Sequence, residues 1–118
     1  MNKFNLPRLQ EMVAGYARLA LDGVDPRIIV GSLRMILEEV VNSFVECFER
    51  PFLRDSMNSK IMLLRAKGYF PEDLARKAQY VYRIANIGVH GRSDDISADE
   101  AREAIRNIRD IVAYYEQY

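Results

Sequence analysis

The sequence predicts an all-α fold, an up-and-down bundle of about five helices that forms a single domain over residues 1–118. Apolar residues recur at spacings of three and four along most of the chain, which is the period of an amphipathic helix. Start and stop residues divide this pattern into separate helices. No stretch of useful length alternates with period two, as a half-buried strand would. A chain of 118 residues, 49% of them hydrophobic, is the right size for one domain with one core.

The first two helices are predicted from their start signals. The segment Asn5-Leu6-Pro7 can begin a helix, because proline is tolerated in the first turn, and Asp22-Gly23 ends it. Asp25 caps the second helix and Pro26 takes its first position. The second helix has the widest apolar face, so we predict that it is the central and most buried one. That face comprises Ile28, Ile29, Val30, Leu33, Ile36, Leu37, Val40, Val41, Phe44, Val45 and Phe48.

The remaining helices are bounded by glycines and by a capping motif. A short third helix runs from about Ser56 to Lys67, and Gly68 is its stop. The fourth begins at Pro71 and reaches about His90, where Gly91 can adopt the left-handed conformation that ends a helix. The fifth begins at Ser97-Ala-Asp-Glu100, which has the form of a capping box.

Composition restricts the protein class. No run of residues approaches the length of a membrane span, and the N-terminus lacks the apolar stretch of a signal peptide. The one cysteine, Cys47, cannot form an internal disulfide, and its apolar neighbours predict that it is buried. One histidine and no paired cysteines leave only carboxylates as metal ligands, so we predict neither a metal site nor a cofactor. We expect a cytoplasmic protein that does not associate with membranes.

The charges are unevenly distributed along a chain whose net charge is zero. Residues 50–92 contain nine basic and three acidic residues, whereas residues 1–49 and 93–118 each carry an acidic excess. Overall neutrality argues against a protein that coats nucleic acid. The basic block surrounds the fourth helix, where it indicates either a local anion site or an ordinary solvated helix face.

The fourth helix is predicted to have a core stripe and a polar outer face. A helix turns about 100° per residue, which places one set of small and apolar residues on a single side. That set is Leu74, Ala78, Val81, Ala85 and Gly88. By the same count Arg83, Asn86 and His90 cluster on the opposite side, together with Arg76.

An apolar ridge lies beside this polar face. Tyr80, Ile84 and Ile87 fall outside the main core stripe by the same helical count. An exposed ridge of this kind usually contacts another surface, and two-fold homodimers are the commonest oligomers. We therefore predict a homodimer interface at these three residues. Packing under a neighbouring helix of the same chain is the alternative.

These residues resemble motifs of the HEPN superfamily (higher eukaryotes and prokaryotes nucleotide-binding domains). Arg83 and His90 form the pattern R-x6-H near the end of a bundle helix. Arg34-Met-Ile-Leu-Glu38 is similar to the R-x-x-x-E of a branch that is often joined to restriction and other defence proteins. The segment Lys60–Gly68 before the fourth helix and the S-x-x-E-A start of the fifth are also similar to that branch. The resemblance covers roughly residues 25 to 115.

The resemblance implies a helical homodimer whose active members are metal-independent ribonucleases, with two R-x4–6-H motifs facing each other. His90 would then be the general acid or base, a role that suits the ordinary histidine pKa of about 6.5. Arg83 would bind the scissile phosphate, and Asn86 would orient the imidazole or the phosphate. One histidine cannot act as both acid and base, whereas a dimer supplies two. Further candidate substrate-binding residues are Arg34, Glu38, Arg76 and Arg92.

Two functional classes remain open on this sequence. The first is an endoribonuclease of a toxin–antitoxin or phage-defence system, with RNA as substrate and an antitoxin or a larger defence protein as partner. The second is a non-catalytic helical dimerisation module of a defence or restriction system. It is favoured by Ile84, because active members frequently carry a polar residue directly after the arginine. Nucleotide binding without cleavage is a further alternative that uses the same Arg83.

Each of the motif residues also has an explanation that involves no site. A histidine at a helix end is favoured by the negative end of the helix dipole, which accounts for His90. Arg34 and Glu38 are four residues apart, so a modest ion pair within the helix accounts for both.

Overall fold

The computed structural model describes residues 1–90, excluding the side chains of Val89 and His90, and residues 96–118. In these two ranges the chain forms five α-helices and no β-strand, so the predicted all-α fold is confirmed. The helices are α1 (Leu6–Leu21), α2 (Pro26–Phe48), α3 (Met57–Ala66), α4 (Glu72–His90) and α5 (Ala98–Gln117). A 3₁₀ turn that we did not predict, Arg50–Phe52, follows α2.

Local capping interactions define the helix ends as the sequence predicts. The Asp25 carboxylate accepts a hydrogen bond of 2.9 Å from the backbone N–H of Arg27, and Pro26 occupies the first turn of α2. Ser97 and Glu100 form both hydrogen bonds of a capping box at the start of α5. Gly68 adopts a φ of +81° just beyond α3, in the left-handed region that suits glycine.

The long helices alternate in direction. Near the start of α1, Arg8 lies 2.6 Å from the Glu39 carboxylate in the second half of α2, so these two helices form an antiparallel hairpin. Lys77 near the start of α4 pairs with Asp110 in the second half of α5 at 2.9 Å, which makes the second hairpin. The start of α2 packs against the end of α4. The architecture is the up-and-down bundle that the sequence predicts.

Helix α2 is the centre of the bundle, because it contacts all four other helices. Most of its predicted apolar face is fully buried, but two predictions for this helix are wrong. Ile28 is 62% exposed, because it lies in the first turn on the outer side of the helix. Cys47 is exposed rather than buried, because in the last turn of α2 it is the neighbouring Phe48 that packs against the core.

The short helix α3 is tied to α2 by a buried polar contact. Lys60 is 7% exposed, and its amino group donates a hydrogen bond of 2.7 Å to the side-chain oxygen of Asn42. Buried polar groups are expected to have partners, and here the partner is a neutral amide. The contact joins α3 to the second half of α2, and α3 also packs against α4.

Candidate functional site

Helix α4 has one wide buried side. Leu74, Ala78, Val81 and Ala85 are buried and Gly88 is half-buried, which confirms the predicted core stripe. Ala75 is buried as well. The buried arc is therefore wider than the stripe, because α4 packs against α2, α3 and α5 together.

The prediction that Ile84 belongs to an exposed dimer ridge is wrong. Its side chain is fully buried within the single chain, so it is not available as a surface contact. By helical count Ile84 lies about 80° from the centre of the core stripe, which falls inside an arc that three neighbouring helices cover. Tyr80 and Ile87 lie further round the helix, where they are half-buried and pack against the edge of the core. Only these two residues of the ridge reach the surface.

The outer side of α4 lines an open groove of about 770 Å³ together with the start of α3. Three predicted site residues meet there, namely Arg76, Arg83 and Asn86, and Tyr80 and Ile87 flank them. The described residues that line it are Asn58, Arg76, Gln79, Tyr80, Tyr82, Arg83, Asn86 and Ile87. Among these eight residues are two arginines, three neutral amides and two phenols, but no carboxylate. Such a lining favours an anionic ligand.

Arg83 is the exposed cation at the middle of this face. Its guanidinium carbon lies 5.3 Å from the centroid of the Tyr80 ring, a cation–π distance. Burial raises the pKa of the Tyr80 phenol, and the charges of Glu100 and Glu103 raise it further. Tyr80 is therefore a neutral hydroxyl beside a cation, which leaves the positive charge of Arg83 available to a ligand.

The candidate residues on α2 lie beside the groove and pair with each other. The Nε of Arg34 lies 2.9 Å from the Glu38 carboxylate, which is the intrahelical ion pair expected for this spacing. The guanidinium of Arg34 also lies 5.8 Å from the centroid of the Tyr82 ring on α4. Neither Arg34 nor Glu38 lines the groove itself. Of the two, Arg34 lies beside Tyr82, which does line the groove.

The remaining two candidates fall outside the described part of the protein. Arg92 lies between residues 91 and 95, and of His90 only the helical backbone is described, as the last residue of α4. The helix is continuous from Arg83 to His90. Seven residues correspond to a rotation of about 700°, so the two positions lie on nearly the same side of the helix, about 10 Å apart along its axis.

Three groove residues were not predicted as part of the site. Gln79 and Tyr82 lie on α4. Helical counting places Gln79 on the outer side, about 140° from the centre of the core stripe, so the sequence already held a signal for it. Tyr82 lies only about 80° from that centre, as far as the buried Ile84 does on the other side, so helical counting gives no signal for it. Asn58 lies on α3, and its presence depends on how α3 packs against α4, for which the sequence holds no signal. The Gln79 amide donates a hydrogen bond of 3.0 Å to the sulfur of Met62, which also joins the two helices.

Comparison with family models, with curated proteins and with solved structures finds no match to this chain. The resemblance to the HEPN superfamily therefore stays a prediction. In the described ranges, no group of three or more His, Cys, Asp or Glu residues is placed to hold a metal ion. Of the helices whose residues are described, none combines the length and the apolar character needed to cross a bilayer.

Proposed function

We propose that this protein is a metal-independent endoribonuclease that acts as a homodimer. The observation that supports the proposal is the groove on the outer face of α4, whose described lining residues include Arg83, Arg76 and three amides but no carboxylate. RNA offers such a groove a chain of phosphates and unpaired bases. Arginine binds phosphate oxygens with a planar fork of donors, and amides contact base edges.

The proposed reaction uses the 2′-hydroxyl of RNA as its own nucleophile. A base takes the 2′-hydroxyl proton, the 2′-oxygen attacks the neighbouring phosphorus, and the bond to the 5′-oxygen breaks. An acid protonates the departing 5′-oxygen, so the products carry a 2′,3′-cyclic phosphate and a 5′-hydroxyl. Arg83 neutralises the phosphate as negative charge develops on its oxygens, and Asn86 positions it.

His90 is the proposed proton carrier, and one per chain cannot serve as base and acid at once. Two chains related by a two-fold axis supply both. In the proposed dimer the outer faces of α4 approach each other, with Tyr80 and Ile87 in contact beside Arg83. A composite site then forms from Arg83 and His90 of both chains.

The proposed setting is a toxin–antitoxin or phage-defence system in the cytoplasm. In such a system another component, an antitoxin or a larger defence protein, restrains the nuclease by covering the groove. The basic residues around α4 would then bind RNA or an acidic segment of that partner in turn.

The direct test is incubation of the purified protein with total tRNA in EDTA. We expect the wild type to degrade the RNA, and we expect His90→Ala and Arg83→Ala to leave it intact. Arg18→Ala is the matched control, because Arg18 is an exposed arginine on α1 away from the groove, and this variant should behave like the wild type. RNA that stays intact with the wild type would remove the nuclease proposal for that substrate.

A non-catalytic helical interaction module is the second candidate. It is supported by Ile28 and Met35, which are 62% and 51% exposed on α2 and lie seven residues apart, on one side of that helix. In this case RNA stays intact with every variant, and the double change Ile28→Ser, Met35→Ser reduces self-association. Light scattering after size-exclusion chromatography measures the molar mass that decides this point.

A further inference from the structure

We infer that Tyr82, Asn58 and Asn86 form a subsite for one unpaired nucleobase, next to the phosphate position at Arg83. This inference rests on the proposed function in one respect, namely that the groove binds RNA. It adds a second requirement to that function, because it assigns base recognition to Tyr82 and Asn58, which have no part in the chemical step, and to Asn86, which also positions the phosphate.

The Tyr82 ring packs against the edge of the core and lies beside the Arg34–Glu38 ion pair. Glu38 lies 2.9 Å from Arg34, and the Arg34 guanidinium lies 5.8 Å from the centroid of the Tyr82 ring. Tyr82 is half-buried at the edge of the core, and the rest of it lines the groove. An aromatic side chain that is partly packed against the core loses less entropy than a fully exposed one when a base stacks on it. This position therefore suits a stacking platform.

Helical spacing puts the three parts of a nucleotide-binding site together on α4. Asn86 is four residues after Tyr82 and three after Arg83, so it is a neighbour of both on the helix surface. A phosphate on Arg83 and a base against Tyr82 would thus lie on either side of Asn86. This arrangement matches a nucleotide, whose base and phosphate are separate groups joined by a ribose.

The amides favour a base that is not paired. Each amide offers both donors and an acceptor, which the Watson–Crick edge of a free base can use, whereas a base inside a duplex has that edge and both faces occupied. Asn58 is exposed at the start of α3, opposite the outer face of α4, and it lines the same groove. Base edges can therefore meet amides from two different helices.

The test is binding of a fluorescent 2′-O-methyl oligonucleotide, which keeps the phosphates and bases but lacks the attacking hydroxyl. Fluorescence anisotropy gives its dissociation constant. We expect Tyr82→Leu to weaken binding about tenfold or more, the loss of one stacked base, and Tyr82→Phe to bind like the wild type. Tyr16→Leu is the control, because Tyr16 is a half-buried tyrosine on α1 outside the groove.

A second comparison tests the amides. The same strand annealed to its complement should bind less tightly than the single strand. Asn58→Ala should reduce the differences in affinity among the four homopolymers of base A, C, G and U. Since Asn58 is exposed, this variant keeps the test valid even if Tyr82→Leu does not fold. The inference would be overturned if Tyr82→Leu bound the oligonucleotide as tightly as the wild type. It would also be overturned if Asn58→Ala showed the same base preference as the wild type.

The outcomes of the cleavage and binding tests distinguish a failure of the proposed subsite from a failure of the proposed ribonuclease function. If the wild type cleaves RNA and Tyr82→Leu cleaves it equally well at every RNA concentration, the subsite is wrong and the ribonuclease stands. If no variant cleaves RNA but oligonucleotide binding depends on Tyr82, the ribonuclease is wrong and the subsite stands.

Discussion

Gly88 of α4 lies so close to Val30 of α2 that a β-carbon at position 88 would be 2.5 Å from Val30 Cγ2. The same atom would lie 3.3 Å from the backbone oxygen of Arg27. Glycine thus allows the end of α4 to pack directly on the start of α2. His90 follows two residues later, so this contact determines where the last turn of α4, and with it the candidate site, lies on the bundle.

Replacement of Gly88 by alanine should destabilise the fold. The added methyl group must displace Val30, a stiff β-branched side chain, or move the two helices apart, and overpacking of this kind costs about 1–3 kcal/mol. Gly15→Ala is the matched control, because no atom lies within 4 Å of its added β-carbon, and it should stabilise α1 by about 0.5–1 kcal/mol. Urea unfolding measures both. A Gly88→Ala protein as stable as the wild type would contradict the close contact.

Ile84 and Ile87 should respond differently to truncation. Ile84→Ala removes a fully buried side chain and should lower the free energy of unfolding by about 2–5 kcal/mol. Ile87 is half-buried, so Ile87→Ala should cost clearly less. Ile87→Glu should instead reduce the molar mass in solution towards that of a monomer, if α4 forms the dimer contact. An unchanged mass for Ile87→Glu at the same concentration would move the interface away from α4.

The polar contact between α3 and α2 gives a third prediction. Asn42→Leu leaves the buried Lys60 amino group without its partner, and an unsatisfied buried donor costs about 1–3 kcal/mol. The double change Asn42→Leu, Lys60→Met removes both polar groups and should recover much of that loss. Thermal unfolding of the single and double variants decides this, and a double variant no more stable than Asn42→Leu would contradict the pairing.

Much of the fold could be predicted because its signals are local. The cap at Asp25, the capping box at Ser97 and the left-handed Gly68 depend on a few neighbouring residues, and each is found as the sequence predicts. Burial depends on which helices surround a position, and there prediction failed. Ile84 lies at the side of a helix that three others cover, and at the end of α2 it is Phe48, not Cys47, that packs against the core.

In the candidate site, too, relationships within one helix could be predicted and contacts between helices could not. Arg76, Arg83 and Asn86 meet in one groove as helical counting predicts, because all three belong to α4. Asn58 reaches the groove from α3, and Arg34 reaches Tyr82 from α2. The spacing of residues along the chain predicts neither of these two contacts.

Tyr80 gives a prediction on pH. Burial and the charges of Glu100 and Glu103 raise its pKa above the ordinary tyrosine value of about 10. Folded protein therefore holds the phenolic proton more tightly than unfolded protein does. The contribution of the protonated Tyr80 phenol to the free energy of unfolding is complete below about pH 10. It is lost as the pH rises through the pKa of Tyr80 in the folded protein. The difference in phenolate absorbance between the wild type and Tyr80→Phe should show Tyr80 ionising later than free tyrosine. Ionisation at or below the ordinary pKa would contradict the burial of the ring.

The chemistry of the cleaved ends tests the ribonuclease proposal most directly. The substrate is a DNA oligonucleotide that contains a single ribonucleotide, incubated with the wild-type protein in EDTA, and mass spectrometry identifies the products. We predict one cut, directly after the ribonucleotide, which leaves a 2′,3′-cyclic phosphate on one product and a 5′-hydroxyl on the other. Cuts elsewhere in the DNA, a free 3′-hydroxyl at the cut, or no cleavage of this strand and of an all-RNA strand alike would contradict the proposal.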